Sequence, residues 1–376
     1  MTKMIPVFSN TLGKEELSAV KRVLKSRWIG PGKENSLFEK EFGERVGAPY
    51  TLMLNSCTSG LFMSMKLLGI GFGDEVIIPT CHFIGALNAI LDCGATPVFA
   101  DVDLEYFNIL PSEIKRLRTN KTKAVMLLHY GGHPCNMDAI YDETEDLAII
   151  EDTATAPFSK YLGVSCGTLG DIGLYSFDAM KILCMGGGGA LVTRTKEVYQ
   201  KAKELRYFGL DGNRQTGTDA CKDNNTRWWE LELNCVSNKS TQTDILSAIG
   251  REQLKKVDSF IKRRKEIWGR YQEAFRKVYW LSTPPEPLKN TTSSYYMYWL
   301  KTKYPASRDE FAKYLVANGI YCTFRYYPLH LVKYLNSKVK LPNAELINQV
   351  AINIPLHQNL TNKDVNKIIK AIENVK

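Results

Sequence analysis

The chain has nine cysteines, an odd number, and no two of them stand in C-x-x-C spacing. That argues against a disulfide framework and against a zinc ribbon, so no metal is expected and a reducing compartment suits the thiols best. No stretch approaches the roughly 20 apolar residues of a spanning helix. The opening residues "MTKMIPVFSN" hold no apolar core of signal-peptide length. The expectation is a soluble, cytoplasmic protein with no membrane partner. Internal repeats, low-complexity tracts and any basic block long enough to be a tail are also missing. The net charge of +9 could suit a phosphate-bearing partner, but lysines are spread over helical faces such as "KEVYQKAKELR" and are solvated there. No nucleic-acid partner is expected.

What is present is alternation. With 376 residues, 44% of them hydrophobic, the chain can bury a sizeable core and more than one domain. Short apolar strand patterns ("YTLMLNS", "DEVIIPT", "TPVFADVD", "KAVMLLHY", "LAIIEDT") alternate with helical ones ("KEELSAVKRVLKS", "TSGLFMSMKLLGI", "FIGALNAILDCG"). Such alternation predicts an α/β fold, a parallel sheet covered on both faces, with ligands at the carboxyl ends of the strands. Beyond about residue 250 the texture changes. "GREQLKKVDSFIKRRKEIWGRYQEAFRKV" reads as one long amphipathic helix, and "SSYYMYWLKT" and "GIYCTFRYYPLH" read as strands of a smaller α+β unit. The expected division is a large domain, residues 1–252, and a small C-terminal domain, residues 253–376.

Four features of the large domain carry chemistry. In "NSCTSGL", Asn55 to Leu61, a strand end runs into a helix start, where free N–H groups and the hydroxyls of Ser56, Thr58 and Ser59 could hold a phosphate. A plain N-cap is the alternative. In "IIEDTATA", Asp152 ends a very apolar strand, and a buried carboxylate there needs a cationic partner. A protonated heterocyclic nitrogen, a lysine or a helix N-terminus would each serve. In "YSFDAMKILCMGGGGALVT", Lys181 lies in an apolar run before four glycines, Gly186 to Gly189, and a shielded lysine amine makes Schiff bases with aldehydes. Ser176, five positions upstream, could donate to a phosphate. Phe83, in "PTCHFIGALN", sits at a strand-to-helix junction and could stack on a flat ring or pack in the core. A phosphate cradle, a stacking ring, an acid for a pyridinium nitrogen and an aldehyde-trapping amine together are what pyridoxal phosphate (PLP) requires.

The same motifs, in order, resemble the DegT/StrS-type family of PLP-dependent sugar aminotransferases over nearly the whole length. "IPVFSNTLGKEELSAVKRVLKSRWIGPGKENSLFEKEF", "DEVIIPTCHFIGALNAILDCGATPVFADVD", "IIEDTATA", "GTLGDIGLYSFDAMKILCMGGGGALVT", "TDILSAIGREQLKKVD" and "RYYPLHLVKYL" carry the likeness. The resemblance implies a fold type I aminotransferase, usually a homodimer with shared active sites. It implies Lys181 as the Schiff-base lysine, Asp152 as partner of the pyridine nitrogen and Phe83 as the stacking ring. Thr58 and Ser176 map to phosphate contacts, and Cys57 stands where the family has glycine. Lys239, with Asn238 as the near alternative, falls where relatives place a residue that reaches the neighbouring subunit's phosphate. Thr155 replaces the family's glutamine, which contacts the cofactor's 3′ oxygen. Trp28, Gly30, Lys33, Arg325 and His330 are the substrate-binding candidates, and His330, which could line the substrate mouth, could equally be a packed structural histidine.

The implied activity is transfer of the amino group of L-glutamate to a ketone by a ping-pong cycle, the ketone being a nucleotide-linked 4-keto-6-deoxyhexose. Lys181 stands where a dehydratase branch of the family has histidine, which favours amino transfer. The segment "GNRQTGTDACKDNNTRWWELELNC" departs from the common sugar-enzyme pattern, which leaves a small phosphorylated ketone or a cyclitol as the alternative acceptor. A non-catalytic PLP-binding regulator is a third reading, though no DNA-binding helix pair is visible.

Overall fold

Apolar five- to seven-residue runs bounded by polar residues become the strands of one central sheet. The computed structural model describes residues 4–212, 227 and 229–375. Its strands are β1 (Tyr50–Leu54), β2 (Glu75–Pro79), β3 (Thr96–Ala100), β4 (Thr122–Leu128), β5 (Ala148–Asp152), the short β6 (Lys160–Tyr161) and β7 (Val164–Ser165), β8 (Ile172–Ser176) and β9 (Gly189–Thr193). Among the described residues seven of these form a sheet in the order β1-β9-β8-β5-β4-β2-β3. β2, β3, β4, β5 and β8 pair in parallel. β9 runs antiparallel to both β8 and β1, so β1 points the same way as the parallel set. The carboxyl ends of β1, β2, β4, β5 and β8 therefore share one edge.

Helices α1 (Lys14–Ser26), α2 (Lys33–Val46), α3 (Cys57–Leu67), α4 (Ile84–Asp92), α5 (Pro111–Leu117), α6 (Met137–Tyr141) and α7 (Lys196–Arg206) accompany this sheet. Buried side chains of α3 and α4 form one apolar core with β1, β2 and β4, and residues of α5 and α6 form another with the opposite sheet face. Gly94, in the left-handed region, follows the last turn of α4, as the glycine-closed pattern predicts.

The long amphipathic pattern is α8 (Asp244–Phe275), a continuous helix that runs straight through residue 252. Its first half carries Ala248 against α1, while Ile267, Trp268, Tyr271 and Phe275 belong to a second core. That core holds β10 (Leu281–Ser282), β12 (Tyr298–Thr302) and β13 (Ala351–Ile354), an antiparallel sheet, with α9 (Pro305–Ala317), α10 (Pro342–Val350) and α11 (Asn362–Glu373) nearby; β11 (Thr291–Thr292) pairs instead with β6.

Two strand expectations are corrected. In "SSYYMYWLKT" only Tyr298–Thr302 is strand, because the N–H groups of Ser294, Tyr296 and Met297 donate to the carbonyls of Gly132 and Gly131 instead of a ladder. "GIYCTFRYYPLH" forms no regular strand. It makes single bridges at Ile320 and Thr323, and the backbone of Arg325 is taken by side chains, its N–H by Asn353 at 2.9 Å and its carbonyl by the Tyr130 phenol. Of the unusual segment 212–235, residues 213–226 and 228 lie outside the described residues.

Candidate active site

Lys181 follows β8. Its N–H donates to the Asp178 carbonyl at 2.9 Å, closing a turn that buries the side chain to 7% exposure. Ile182 and Leu183 are buried around it, while Met180 is 40% exposed. The ammonium sits 5.1 Å from the centroid of the Tyr296 ring. Burial pushes its pKa down, but Tyr296, Tyr326, Asp152 and Cys57 raise it, and the net direction is upward. The glycines that follow bring the chain back: Gly186 and Gly188 take positive φ, and β9 begins at Gly189 between Leu54 and Ser176. A Cβ at Gly189 would lie 2.3 Å from the Cys57 nitrogen, so glycine there lets the N-terminus of α3 approach.

That N-terminus is capped as a helix should be. Ser56 is its N-cap and accepts the Ser59 N–H at 3.0 Å, while the Ser59 hydroxyl donates to Asn55 at 2.6 Å. The N-cap alternative thus accounts for Ser56 and Ser59. Cys57 and Thr58 begin the helix, and the Thr58 hydroxyl has no hydrogen-bond partner among the described residues. Burial pushes the Cys57 thiol well up, Asp152 adding to it. A Cβ on Gly85 would meet Phe83 at 2.8 Å and Thr58 at 3.3 Å, so these two side chains crowd the same turn of α4. Phe83 is 42% exposed, packed edge-on to Tyr326 with centroids 6.1 Å apart, and is not a core residue.

Asp152 ends β5, buried at 1% exposure. Its Oδ1 accepts the Ala154 N–H at 2.8 Å. Its Oδ2 faces His82 Nε2 at 3.9 Å, beyond hydrogen-bond reach. Among the described residues the buried His82 Nε2 has no hydrogen-bond partner, and Oδ2 accepts no hydrogen bond from it at that distance. Thr155 gives its only proton to the His129 carbonyl at 2.7 Å, so toward a ligand it can only accept. Ser176, at the end of β8, is buried beside Gly189.

The other candidates divide into two groups. Arg325 comes to the Lys181 turn, its Nη2 3.3 Å from the Met180 sulfur and its guanidinium 4.7 Å from the Phe8 centroid. Trp28, Gly30 and Lys33 gather instead around Asp244, which the sequence reading did not single out. The Asp244 N–H donates to the Gly30 carbonyl at 3.0 Å, and its carboxylate caps α2 through the N–H groups of Glu34 and Asn35. Trp28 is 61% exposed and donates its indole N–H to Pro31. Asn238 and Lys239 are exposed on a segment laid against the end of β1, where the Asn55 N–H meets the Ser240 carbonyl.

His330 is corrected. It is buried, with Nδ1 at 2.7 Å from the Thr80 hydroxyl and Nε2 at 3.4 Å from Glu345, and burial lowers its pKa. Both ring nitrogens are occupied in packing, and it does not line an open mouth. Tyr296 and Tyr326 at Lys181, and His82 at Asp152, went unread in the sequence.

The site thus combines a buried amine, a helix N-terminus with free N–H groups, an exposed phenyl ring and a half-satisfied carboxylate. The orphaned Asp152 oxygen can accept from a protonated aromatic nitrogen, which is the fit that a pyridine-based cofactor needs.

Comparison with known proteins points the same way. The DegT/DnrJ/EryC1/StrS aminotransferase family profile matches residues 10–373. The chain is 38% identical to the dTDP-4-dehydro-2,3,6-trideoxy-D-glucose 4-aminotransferase of Saccharopolyspora spinosa, over 98% of this chain and 97% of that protein. Among solved structures it is similar to the aminotransferase TlmJ from Streptoalloteichus hindustanus, at 40% identity and a TM-score of 0.92, covering 98% of each chain. It is also similar to Spr1654 from Streptococcus pneumoniae in its PMP form, at 26% identity, 98% coverage of each chain and a TM-score of 0.90. The PLP form of the same protein gives 25% identity, 99% and 100% coverage and a TM-score of 0.90.

Proposed function

The chain belongs to the DegT/DnrJ/EryC1/StrS aminotransferase family, and from that premise we propose how this PLP-dependent aminotransferase uses its residues and on what. It takes the amino group of L-glutamate and delivers it, in two half-reactions, to a nucleotide-linked 4-keto-6-deoxyhexose. The likeness to a dTDP-keto-sugar 4-aminotransferase across both full chains supports that acceptor.

When bound, the cofactor supplies an aldehyde for the amino group and a ring that takes up electrons from the donor's Cα. Lys181 is the residue that attaches it and, once released, carries the proton at the reacting carbon. The free N–H groups at Cys57 and Thr58, with Ser176, hold the phosphate. Phe83 covers the ring, and Asp152 accepts from its nitrogen. Asp152 is one of the groups that hold the proton on Lys181, so a cation held against that carboxylate would weaken the amine's hold on it. Arg325, close to the Lys181 turn, meets an anionic group of donor or acceptor. Asn238 and Lys239 reach the site of a second copy in a homodimer. Exposed Trp28, Ile29, Leu231 and Val236 support a covered surface near both groups. The large and small domains meet within α8, near residue 252.

The observation that carries this reading is the burial of one amine, Lys181, at the edge where Asp152 leaves a carboxylate oxygen unsatisfied. Mass spectrometry of products from 15N-glutamate and a panel of ketones tests it. Labelled amino sugar from a nucleotide-linked ketone is the expected result. Turnover confined to small phosphorylated ketones or cyclitols would remove the nucleotide-sugar assignment.

A further inference from the structure

His82 lies on the loop between β2 and α4, its side chain 0% exposed. Its Nδ1 accepts the N–H of Phe83 at 2.8 Å. A nitrogen that accepts carries a lone pair, so the proton of the neutral ring is on Nε2. Among the described residues that Nε2 has no hydrogen-bond partner, and the charge near it is Asp152, whose Oδ2 is 3.9 Å away. The Leu127 backbone also favours a proton on the ring. The gap is about 1 Å longer than an N–H···O bond. A buried N–H left without a partner is costly, and the Asp152 carboxylate oxygen stands within closing distance of it.

We propose that His82 is a positioning residue for Asp152: its Nε2–H closes onto Oδ2 and holds the carboxylate aligned and charged toward the cofactor's ring nitrogen. This rests on the role given above to Asp152. Burial keeps the ring neutral, with Asp152 opposing that shift only in part, so the donor is an N–H and not a second charge that would compete with the ring nitrogen. The same imidazole ties the Phe83 backbone, so one residue sets both the carboxylate at the ring's edge and the phenyl ring on its face. No local pattern signals this, since His82 and Asp152 stand 70 residues apart, one on a loop and the other at the end of β5.

Two substitutions separate the jobs. His82→Asn keeps an acceptor near Nδ1 for Phe83 and removes the donor; His82→Gln keeps a donor near the Nε2 position. Each is made alone, and His82→Asn is combined with Asp152→Asn. The readouts on purified protein are the dissociation rate of PLP and the pH midpoint of the bound cofactor's visible band. Asp152→Asn should shift the midpoint. His82→Asn should move it in the same direction and speed PLP loss by about tenfold, the worth of one hydrogen bond to a charge. His82→Gln should lie closer to the parent, and the double variant should match Asp152→Asn alone, because His82 acts through that carboxylate. A His82→Asn protein with the parent's midpoint and off-rate overturns the proposal, as does full additivity in the double variant or a His82→Gln protein worse than His82→Asn. If Asp152→Asn itself behaves as the parent, the role of Asp152 falls, and with it the proposal.

Discussion

Glu151, one residue before Asp152 on β5, points to the opposite sheet face, and replacing it should unfold the edge that carries the site. Its side chain and that of His129 are both 0% exposed. Oε1 accepts from Leu169 N at 2.7 Å and Gly170 N at 2.6 Å; Oε2 accepts from Gly167 N at 2.7 Å and His129 Nε2 at 2.8 Å. The Cys135 N–H occupies His129 Nδ1 at 2.9 Å, which places the ring's proton on Nε2 toward Glu151. One carboxylate thus satisfies four buried donors. In Glu151→Gln the amide oxygen serves one pair while the NH2 group confronts the other, whichever way it is turned. Two donors are orphaned at about 1–3 kcal/mol each, a loss of about 2–6 kcal/mol. Glu151→Ala orphans all four, about 4–12 kcal/mol, against a typical total of about 5–15 kcal/mol. Urea unfolding followed by tryptophan fluorescence should show a clear drop for the glutamine variant, and the alanine variant should fail to accumulate folded. Amide hydrogen exchange should speed up at Gly167, Leu169 and Gly170. A glutamine variant within about 1 kcal/mol of the parent, with unchanged exchange at those amides, would refute the accounting.

Further outcomes are expected elsewhere. Lys181→Ala should fold, should yield no cofactor-tagged peptide after borohydride reduction and digestion, and should lose at least about 10²-fold in amino transfer; a label on another lysine would move the assignment. Gly32→Ala places a Cβ 2.8 Å from the Asp244 carboxylate and 2.9 Å from the Trp28 ring. It should cost about 1–3 kcal/mol and raise KM for the keto acceptor more than for glutamate, measured by steady-state kinetics on both substrates. Glu16 is buried at 3% exposure; burial raises its pKa, but Lys256, Gln253 and the Gly13 N–H lower it further, and the net direction is down. Its contribution is present above the unfolded value near 4.5 and is lost as pH falls through the folded value. Glu16→Gln should cost about 1–2 kcal/mol at pH 7 and flatten the loss of stability below about pH 4.5, read from denaturation midpoints across pH.

The strands were legible because a parallel sheet buries both faces, so "EVIIP", "AVMLL" and "AIIED" stand out as apolar runs. Asp152 and Lys181 were legible for a related reason: each is a charge in an apolar stretch, which is costly unless used. Glu151 is equally buried, yet beside Asp152 it reads as one acidic pair, and only the two-residue period of a strand separates their roles. The two readings of His330 could not be separated in the sequence because its partners, Thr80 and Glu345, come from distant segments. Tyr296 and Tyr326 had no local signal, since their place at Lys181 depends on how the second core docks. "GIYCTFRYYPLH" has strand composition, but its backbone groups were claimed by Asn353 and Tyr130 from outside the segment.

That docking makes the site a joint product of both cores. The Tyr296 ring stacks on Phe8 with centroids 5.3 Å apart, and its centroid lies 5.9 Å from the buried Arg264 guanidinium and 5.1 Å from the Lys181 ammonium. Its N–H is held by the Gly131 carbonyl at 3.1 Å, and a Cβ on Gly132 would stand 2.9 Å from that nitrogen. Among the described residues Arg264 has no carboxylate partner; its Nη1 meets the Tyr295, Tyr296 and Leu356 carbonyls at 3.0–3.4 Å and its Nε donates to Gln358, while Nη2 is left without a partner, and burial lowers its pKa to about 10. A fully desolvated cation held by main-chain dipoles is tolerated only where those carbonyls are fixed. Tyr295 and Leu356 belong to the second core, while Tyr296 packs in the first core beside the amine. The small unit therefore cannot shift on the large one without moving Tyr296 off Lys181, and the amine's environment reports how the two cores sit.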